Sequence, residues 1–324
     1  MSHKMRYAKI AGVDKPVSRI IYGTAAMPFL AGGDGNAILD AMFALGVNTF
    51  DTARNYAFAE KSLGQWITDR GNRDQVVILS KCAHPAPDGT KRVDERSIRE
   101  DFSVSSQLLN TNYIDIYLLH RDDPNVPAGT VVEIMNALHA EGKIGAFGGS
   151  NWTHQRIEAA NEYAYAHNLI PFTVSSPNFG LADQQTDPWG GGCISISGPG
   201  NADAREWYAE NRIPVVAYSS LGRGMFSGKV KSTDADRVRE ILDPVAVKGY
   251  ASPENFWRLE RCEALAAEKG CSVAQLAMAW IYNQPLHAFA VVSTKSEARM
   301  QENIDALRIS LTEEELRYLD LVGE

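Results

Sequence analysis

Asp51, Tyr56, Lys81 and His120 form a set whose chemistry fits together. A carbonyl that receives a hydride gains negative charge on its oxygen and needs a proton donor there. A free phenol, with a pKa of about 10, gives up its proton poorly near neutral pH. A nearby ammonium favours the phenolate and eases the transfer. Lys81 can be that ammonium, with Asp51 holding it protonated and oriented. His120 can donate a hydrogen bond to the substrate oxygen, and which of Tyr56 and His120 passes the proton depends on direction and pH. Each residue alone has an ordinary explanation: a turn aspartate, a solvated lysine, a structural histidine, a packed tyrosine. Their positions favour chemistry, because Asp51, Lys81 and His120 close three successive strand-like runs and Tyr56 follows the first of these.

Those runs belong to a longer alternation. Residues 19–24, 47–52, 76–81, 113–120, 144–150, 172–176, 214–220 and 289–294 are short, apolar and β-rich, as strands covered on both faces are. Helical patterns lie between them: Asn36–Leu45, Arg96–Leu109 after a capping Asp94, Val131–Glu141 entered by Thr130, and His154–Ala166 entered by Thr153. Ser272 is placed to cap a helix through Asn283, and Ser296 one through Leu307. Eight β–α alternations predict a (β/α)₈ TIM barrel, whose site is built where the strands end. Residues 1–18 are expected to form a hairpin over the barrel base. Residues 179–204 and Gly228–Asn255 read as long loops at the carboxyl-terminal face. The whole of 1–324 is expected to be one domain. An open doubly wound sheet is disfavoured, because AAMPFLAGG after the first run does not match G-x-G-x-x-G.

Composition sets outer bounds. The chain has 324 residues, 44% hydrophobic and 22% charged, an ordinary globular balance. A net charge of −8 argues against nucleic acid as a partner. The four cysteines, Cys82, Cys193, Cys262 and Cys271, show no metal-site spacing, so no metal is expected and reduced thiols in the cytoplasm are. No signal-peptide core opens the chain and no apolar stretch suits a membrane span. Metalloprotease, nucleophile-elbow and Walker patterns are absent. LGRGMFSG (221–228) falls short of a dinucleotide fingerprint at Ser227. It follows the seventh run, however, where barrels commonly bind phosphate, and Arg223 and Lys229 could meet a pyrophosphate there.

FDTARNYAFAEKSLG (50–64) resembles the aldo-keto reductase pattern D-T-A-x-x-Y-x-x-x-E-x-x-L-G. ILSK (78–81), IDIYLLHRDD (114–123), GGSNW (148–152) and AYSSLGRGMFSGK (217–229) resemble, in the same order, the segments that carry the family's lysine, histidine, amide clamp and pyrophosphate loop. The resemblance implies an NADP(H)-dependent barrel oxidoreductase with Asp51, Tyr56, Lys81 and His120 as its tetrad. It assigns Ser150 and Asn151 to the nicotinamide carboxamide, with Ser175 where many members have Gln, and Gly23 and Thr24 to the nicotinamide side. Tyr218 would stack on the ring. Ser219, Ser220, Leu221, Gly222 and Arg223 would line the pyrophosphate. VVSTKSEARMQEN (291–303) resembles the stretch around the adenosine end, with Ser293, Thr294, Lys295 and Arg299 near a 2′-phosphate and Glu302 and Asn303 at adenine. Arg299 favours NADP(H) through its planar guanidinium. Asn178 replaces a more usual aromatic, and Val292 and Ser293 replace a common Pro-Gly or Pro-Lys, which keeps NAD(H) as the alternative cofactor.

The expected substrate is a small carbonyl compound, alcohol or sugar. Met27, Phe29, Phe58, Arg121, Trp152, Trp189 and Tyr250 are the candidate pocket residues. Arg121 and Asp122, beside His120, suggest polar groups near the reacting carbon. The alternative reading is an NADP(H)-sensing regulatory subunit with little turnover, since ion-channel β subunits share this fold and much of the tetrad. The oligomeric state is left open by the sequence.

Overall fold

All eight apolar runs become strands, several of them shorter than the run: 214–220 keeps only Val215–Ala217 and 47–52 only Thr49–Asp51. The structure, a computed structural model, describes residues 3–323. A short pair, β1 (Tyr7–Ala8) and β2 (Val17–Ser18), precedes the eight strands β3 (Ile20–Gly23), β4 (Thr49–Asp51), β5 (Val77–Cys82), β6 (Ile114–Leu119), β7 (Ile144–Ser150), β8 (Val174–Ser176), β9 (Val215–Ala217) and β10 (Ala288–Val292). These eight close into a barrel in the order β10-β3-β4-β5-β6-β7-β8-β9. Every residue of β5, β6 and β7 is buried, which explains why these strands read as continuous apolar runs and not as alternating ones. Contacts divide the chain into two compact units, one of residues 7–176 and one of residues 177–324 with the segment ending at Arg6.

In the unit of residues 7–176, β1 and β2 pair antiparallel, with Tyr7 opposite Ser18. Gly12 in their turn has φ 86°, and a Cβ there would lie 3.1 Å from the Ala146 nitrogen. The turn therefore rests on the amino-terminal end of β7, at the base of the barrel. Asp115 knots this base together. Its carboxylate holds Lys15 at 2.7 Å and Arg73 at 2.8 Å, and accepts from the Ile78 N–H at 2.9 Å. Helices α1 (Asn36–Ala44), α2 (Ala59–Arg70), α3 (Glu95–Leu108), α4 (Ala128–Ala140) and α5 (His154–Ala166) follow β3 to β7. Asp94 caps α3 by accepting from the Ser97 N–H, and Thr153 caps α5 by accepting from the Arg156 N–H. Thr130 does not enter α4. That helix begins at Ala128 after Pro127, and Thr130 lies exposed in its first turn. Proline's fixed φ suits it to a helix start, so the residue next to the apolar run is not the boundary.

In the other unit β9 and β10 pair in parallel, Val215 opposite Ala288. The two long loops are shorter than expected. Residues 179–204 end in a 3₁₀ turn, Pro199–Asn201, that runs into α6 (Ala202–Asn211). Gly228–Asn255 is largely helical: a 3₁₀ stretch, Ser232–Arg237, then α7 (Val238–Ile241), α8 (Pro244–Tyr250) and the start of α9 (Pro253–Lys269). Helices of one or two turns are too short to show a 3.6-residue period. Their signals are the caps: Asp243 accepts from Val245 and Ala246, Ser252 accepts from Asn255, and proline follows each. The capping expected of Ser272 and Ser296 is present at α10 (Val273–Asn283) and α11 (Glu297–Ala306), and Thr312 caps α12 (Glu313–Leu319). Among the described residues no helix is long and apolar enough to cross a membrane.

Candidate active site

Register explains why distant residues meet. Asp51 pairs with Leu79, and alternation puts Lys81, two residues on, on the same face as Leu79. His120 follows β6 directly, its N–H donating to the Cys82 carbonyl at 2.7 Å. Tyr56 sits in the turn after β4, where its N–H donates to the Ala53 carbonyl at 3.0 Å and the next residue, Ala57, takes φ 45°. The Arg54 N–H donates to the Lys81 carbonyl at 3.0 Å, which ties this turn to β5.

The Lys81 ammonium donates to the Asp51 carboxylate and, at 3.0 Å, to the Thr52 carbonyl. Its Nζ lies 5.1 Å from the centre of the Tyr56 ring, and that ring meets His120 edge-on at 5.5 Å. The structure thus brings Asp51, Tyr56, Lys81 and His120 together. Asp51, Lys81 and His120 are buried and Tyr56 is half-buried. Burial pushes the Tyr56 phenol above its ordinary value, against the pull of the Lys81 charge. The ammonium alone would have made the phenol more acidic; the loss of water outweighs it. Burial also works to lower Lys81, yet Asp51 and Tyr56 together hold it above the usual lysine range, so it stays charged. His120 is held well below its ordinary value, first by burial and then by the Lys81 and Arg121 charges. It is neutral near pH 7. Among the described residues no hydrogen-bond partner is found for its sealed Nδ1. Nε2 is not sealed in this way, so a ring proton carried there can be donated to a substrate oxygen.

At the ends of β7 and β8 lie Ser150, Asn151 and Ser175, all buried. The Ser150 hydroxyl donates to the Ser176 carbonyl at 2.9 Å, and the Asn151 amide donates to the His120 carbonyl at 3.2 Å. Asn151 has φ 60°, a left-handed backbone that asparagine tolerates better than most residues. Gly23 pairs with Asp51, and the Thr24 N–H donates to the Asp51 carbonyl at 2.9 Å.

In the unit of residues 177–324, Tyr218 and Ser219 follow β9 half-buried, and the Ser220 hydroxyl donates to carbonyls of Ala217 (3.0 Å) and Val291 (3.1 Å). Ser219, Gly222, Arg223 and Gly224 all have positive φ. Within this turn the Gly222 N–H donates to the Ser219 carbonyl at 2.7 Å and the Gly224 N–H to the Leu221 carbonyl at 3.1 Å. Arg223 pairs with Asp243 at 3.3 Å and lies 4.8 Å from the Trp189 ring centre. Lys229 is exposed. Beyond β10, Ser293, Lys295, Arg299 and Glu302 are exposed, Thr294 is half-buried and Asn303 is buried. Asn178, the replacement for an aromatic, has a structural task. Its amide donates to Tyr250 Oη at 2.9 Å and to the Tyr218 carbonyl at 3.2 Å, and its carbonyl oxygen accepts from Ser195 Oγ at 2.9 Å.

Three candidate pocket residues prove to be packing residues. Phe29 and Trp152 are 0% exposed and Tyr250 is 1% exposed. Phe29 packs on Tyr22, Trp152 lies between Phe172 and Arg156, and Tyr250 bonds Asn178 and Gln184. Met27, Phe58 and Trp189 are exposed and Arg121 is half-buried. Asp122 is ion-paired with Arg156 at 3.0 Å. His84 was not among the expected site residues, yet its ring meets His120 edge-on at 5.0 Å. It lies beyond the strand end and outside the motif, and its only signal was its spacing of three from Lys81.

The chain is similar to the aldo-keto reductase YhdN of Bacillus subtilis, at 26% identity over 99% of this chain and 94% of that one. It is similar to the aldo-keto reductase str7 of Strobilurus tenacellus, at 27% over 89% and 80%. It is also similar to a putative voltage-gated potassium channel subunit beta of Schizosaccharomyces pombe, at 26% over 85% and 80%. The model of the aldo/keto reductase family matches residues 19–324. With that match over nearly the whole chain and a closed barrel of eight parallel strands, the protein belongs to the aldo/keto reductase family of oxidoreductases.

Proposed function

We propose that this chain interconverts a carbonyl group (of an aldehyde, ketone or keto-sugar) and the corresponding alcohol with NADP(H), using Tyr56 as proton donor in reduction and acceptor in oxidation. The observation that carries the reading is the meeting of Asp51, Tyr56, Lys81 and His120 at the ends of β4, β5 and β6. A bound nicotinamide supplies the hydride in one direction and takes it up in the other. The protein's own groups handle the oxygen. Neutral His120, with its proton on Nε2, donates to the substrate oxygen. Tyr56, kept protonated by burial, delivers the proton as charge builds there. Lys81 then lies 5.1 Å from the ring that has become phenolate and offsets its charge, while Asp51 keeps the ammonium in place.

The residues present suit such a cofactor. Ser150 and Asn151, with Ser175, offer buried amide and hydroxyl groups for a carboxamide, and Gly23 and Thr24 lie at neighbouring strand ends. Tyr218 offers a flat face. The left-handed turn at 219–224, with Arg223 and Lys229, suits a pyrophosphate. Ser293, Thr294, Lys295 and Arg299 suit a 2′-phosphate, and Glu302 and Asn303 suit adenine. On this reading NADPH is preferred over NADH, and Arg299→Ala lowers the ratio of their kcat/KM about tenfold, the loss expected for one charge-assisted contact. An unchanged ratio would remove Arg299 from the phosphate site.

Steady oxidation of NADPH with a panel of aldehydes, ketones and keto-sugars tests the enzyme reading. Tight NADPH binding with almost no turnover on any of them would contradict it. That outcome would favour the alternative, an NADP(H)-sensing regulatory subunit.

A further inference from the structure

His84 stands beside the candidate centre and has no part in the tetrad. It lies three residues after Lys81, past the end of β5, and is half-buried. Its ring meets the His120 ring at 5.0 Å and 77°. Its Nδ1 is 3.0 Å from the carbonyl oxygen of Pro85. A carbonyl oxygen only accepts, so Nδ1 carries the ring proton and Nε2 is left as a bare acceptor. Among the described residues no hydrogen-bond partner is found for Nε2, and it is not sealed as His120 Nδ1 is.

Arg121 stands next to His120 in the chain. It is half-buried and donates to the His120 carbonyl at 2.9 Å. Its charge reaches Tyr56, His84 and His120 alike. A neutral acceptor and a cation therefore flank the groups that serve the reacting oxygen. A plain aldehyde offers no group to either, whereas a hydroxyl can both donate its hydrogen to an imidazole nitrogen and accept from a guanidinium.

We propose that His84 is a specificity residue that accepts a hydrogen bond from a hydroxyl next to the reacting carbonyl, so that the preferred substrates are hydroxy-aldehydes and hydroxy-ketones. This rests on the reading of Tyr56 and His120 given above. The acceptor must stay unprotonated. Burial keeps His84 below its ordinary value, helped by the charges of Arg121 and Arg92 and opposed by Asp101 and the Pro85 hydrogen bond; the neighbouring His120 is neutral.

The test compares kcat/KM for glyceraldehyde and propanal with NADPH. In His84→Phe the ratio of the two falls about tenfold, the value of one hydrogen bond in an enclosed site. In His84→Gln, whose amide oxygen still accepts, most of the ratio returns. The ratio in the unaltered protein also falls as the pH is lowered into the range where His84 protonates, and in His84→Gln it is flat with pH. Equal losses on both substrates would show that His84 only packs against His120, and an unchanged ratio would show that it touches no hydroxyl; either overturns the proposal. If Tyr56→Phe retains full turnover, the functional reading itself has failed. If Tyr56→Phe is inactive while the ratio in His84→Phe is unchanged, only the hydroxyl contact has failed.

Discussion

Lys81 and Asp51 illustrate how strongly the buried residues depend on one another. The ammonium and carboxylate are buried side by side, so removing one strands the other's charge. Breaking a buried pair from one side costs about 3–5 kcal/mol. Lys81→Met is therefore expected to lower stability by an amount in that range in a urea titration, beyond any loss of activity. A change below about 1 kcal/mol would mean that water reaches Asp51 more freely than its burial implies. Asp51, Tyr56, Lys81 and His120 were legible in the sequence because strand ends are where a barrel brings side chains together. Phe29, Trp152 and Tyr250 were misjudged for a physical reason. An aromatic residue in a loop looks the same in sequence whether it faces a pocket or fills the space under one, and only packing tells the two apart. His84 was missed because its partner in space, His120, is distant in sequence.

At the scale of elements, the structure separates true helix boundaries from apparent ones. Asp94 accepts the Ser97 N–H at 2.9 Å, whereas Thr130 is exposed in the first turn of α4. Asp94→Ala is expected to cost about 1 kcal/mol and Thr130→Ala less than about 0.5 kcal/mol, measured by denaturant unfolding. Equal costs would restore Thr130 as a cap. Packing between helices is as specific. A Cβ at Gly64 would lie 2.3 Å from the Leu108 carbonyl oxygen, so α2 can approach the end of α3 only with glycine there. Gly64→Ala should destabilise by about 1–3 kcal/mol even though alanine is the better helix former, and a gain in stability would show that α2 shifts freely. The strands were legible because they are buried on both faces and therefore apolar throughout. Helices α7 and α8 were not, because segments of 4 and 7 residues show no period; α8 carries a cap at Asp243, and α7 carries none.

For the molecule as a whole, the alternation of strand and helix was enough to read a closed eight-stranded barrel from the sequence, and the hairpin at its base with it. The buried imidazole adds a pH dependence that the alternation does not reveal. His120 is held well below 6.5 in the fold, so between its folded value and 6.5 the unfolded chain binds a proton that the folded chain refuses. Stability therefore falls as pH is lowered below 6.5, by up to about 1.4 kcal/mol per pH unit from this group. His120→Asn should flatten that slope in unfolding measurements over a range of pH; an unaltered slope would mean that His120 titrates freely. The central claim, that the Tyr56 phenol serves the reacting oxygen, has a more direct test. Tyr56→Phe keeps the ring and removes only the hydroxyl. With NADPH binding followed by its fluorescence and carbonyl reduction followed by its oxidation, binding should persist while kcat falls by about 10²- to 10⁴-fold. Reduction at the unaltered rate would contradict the account.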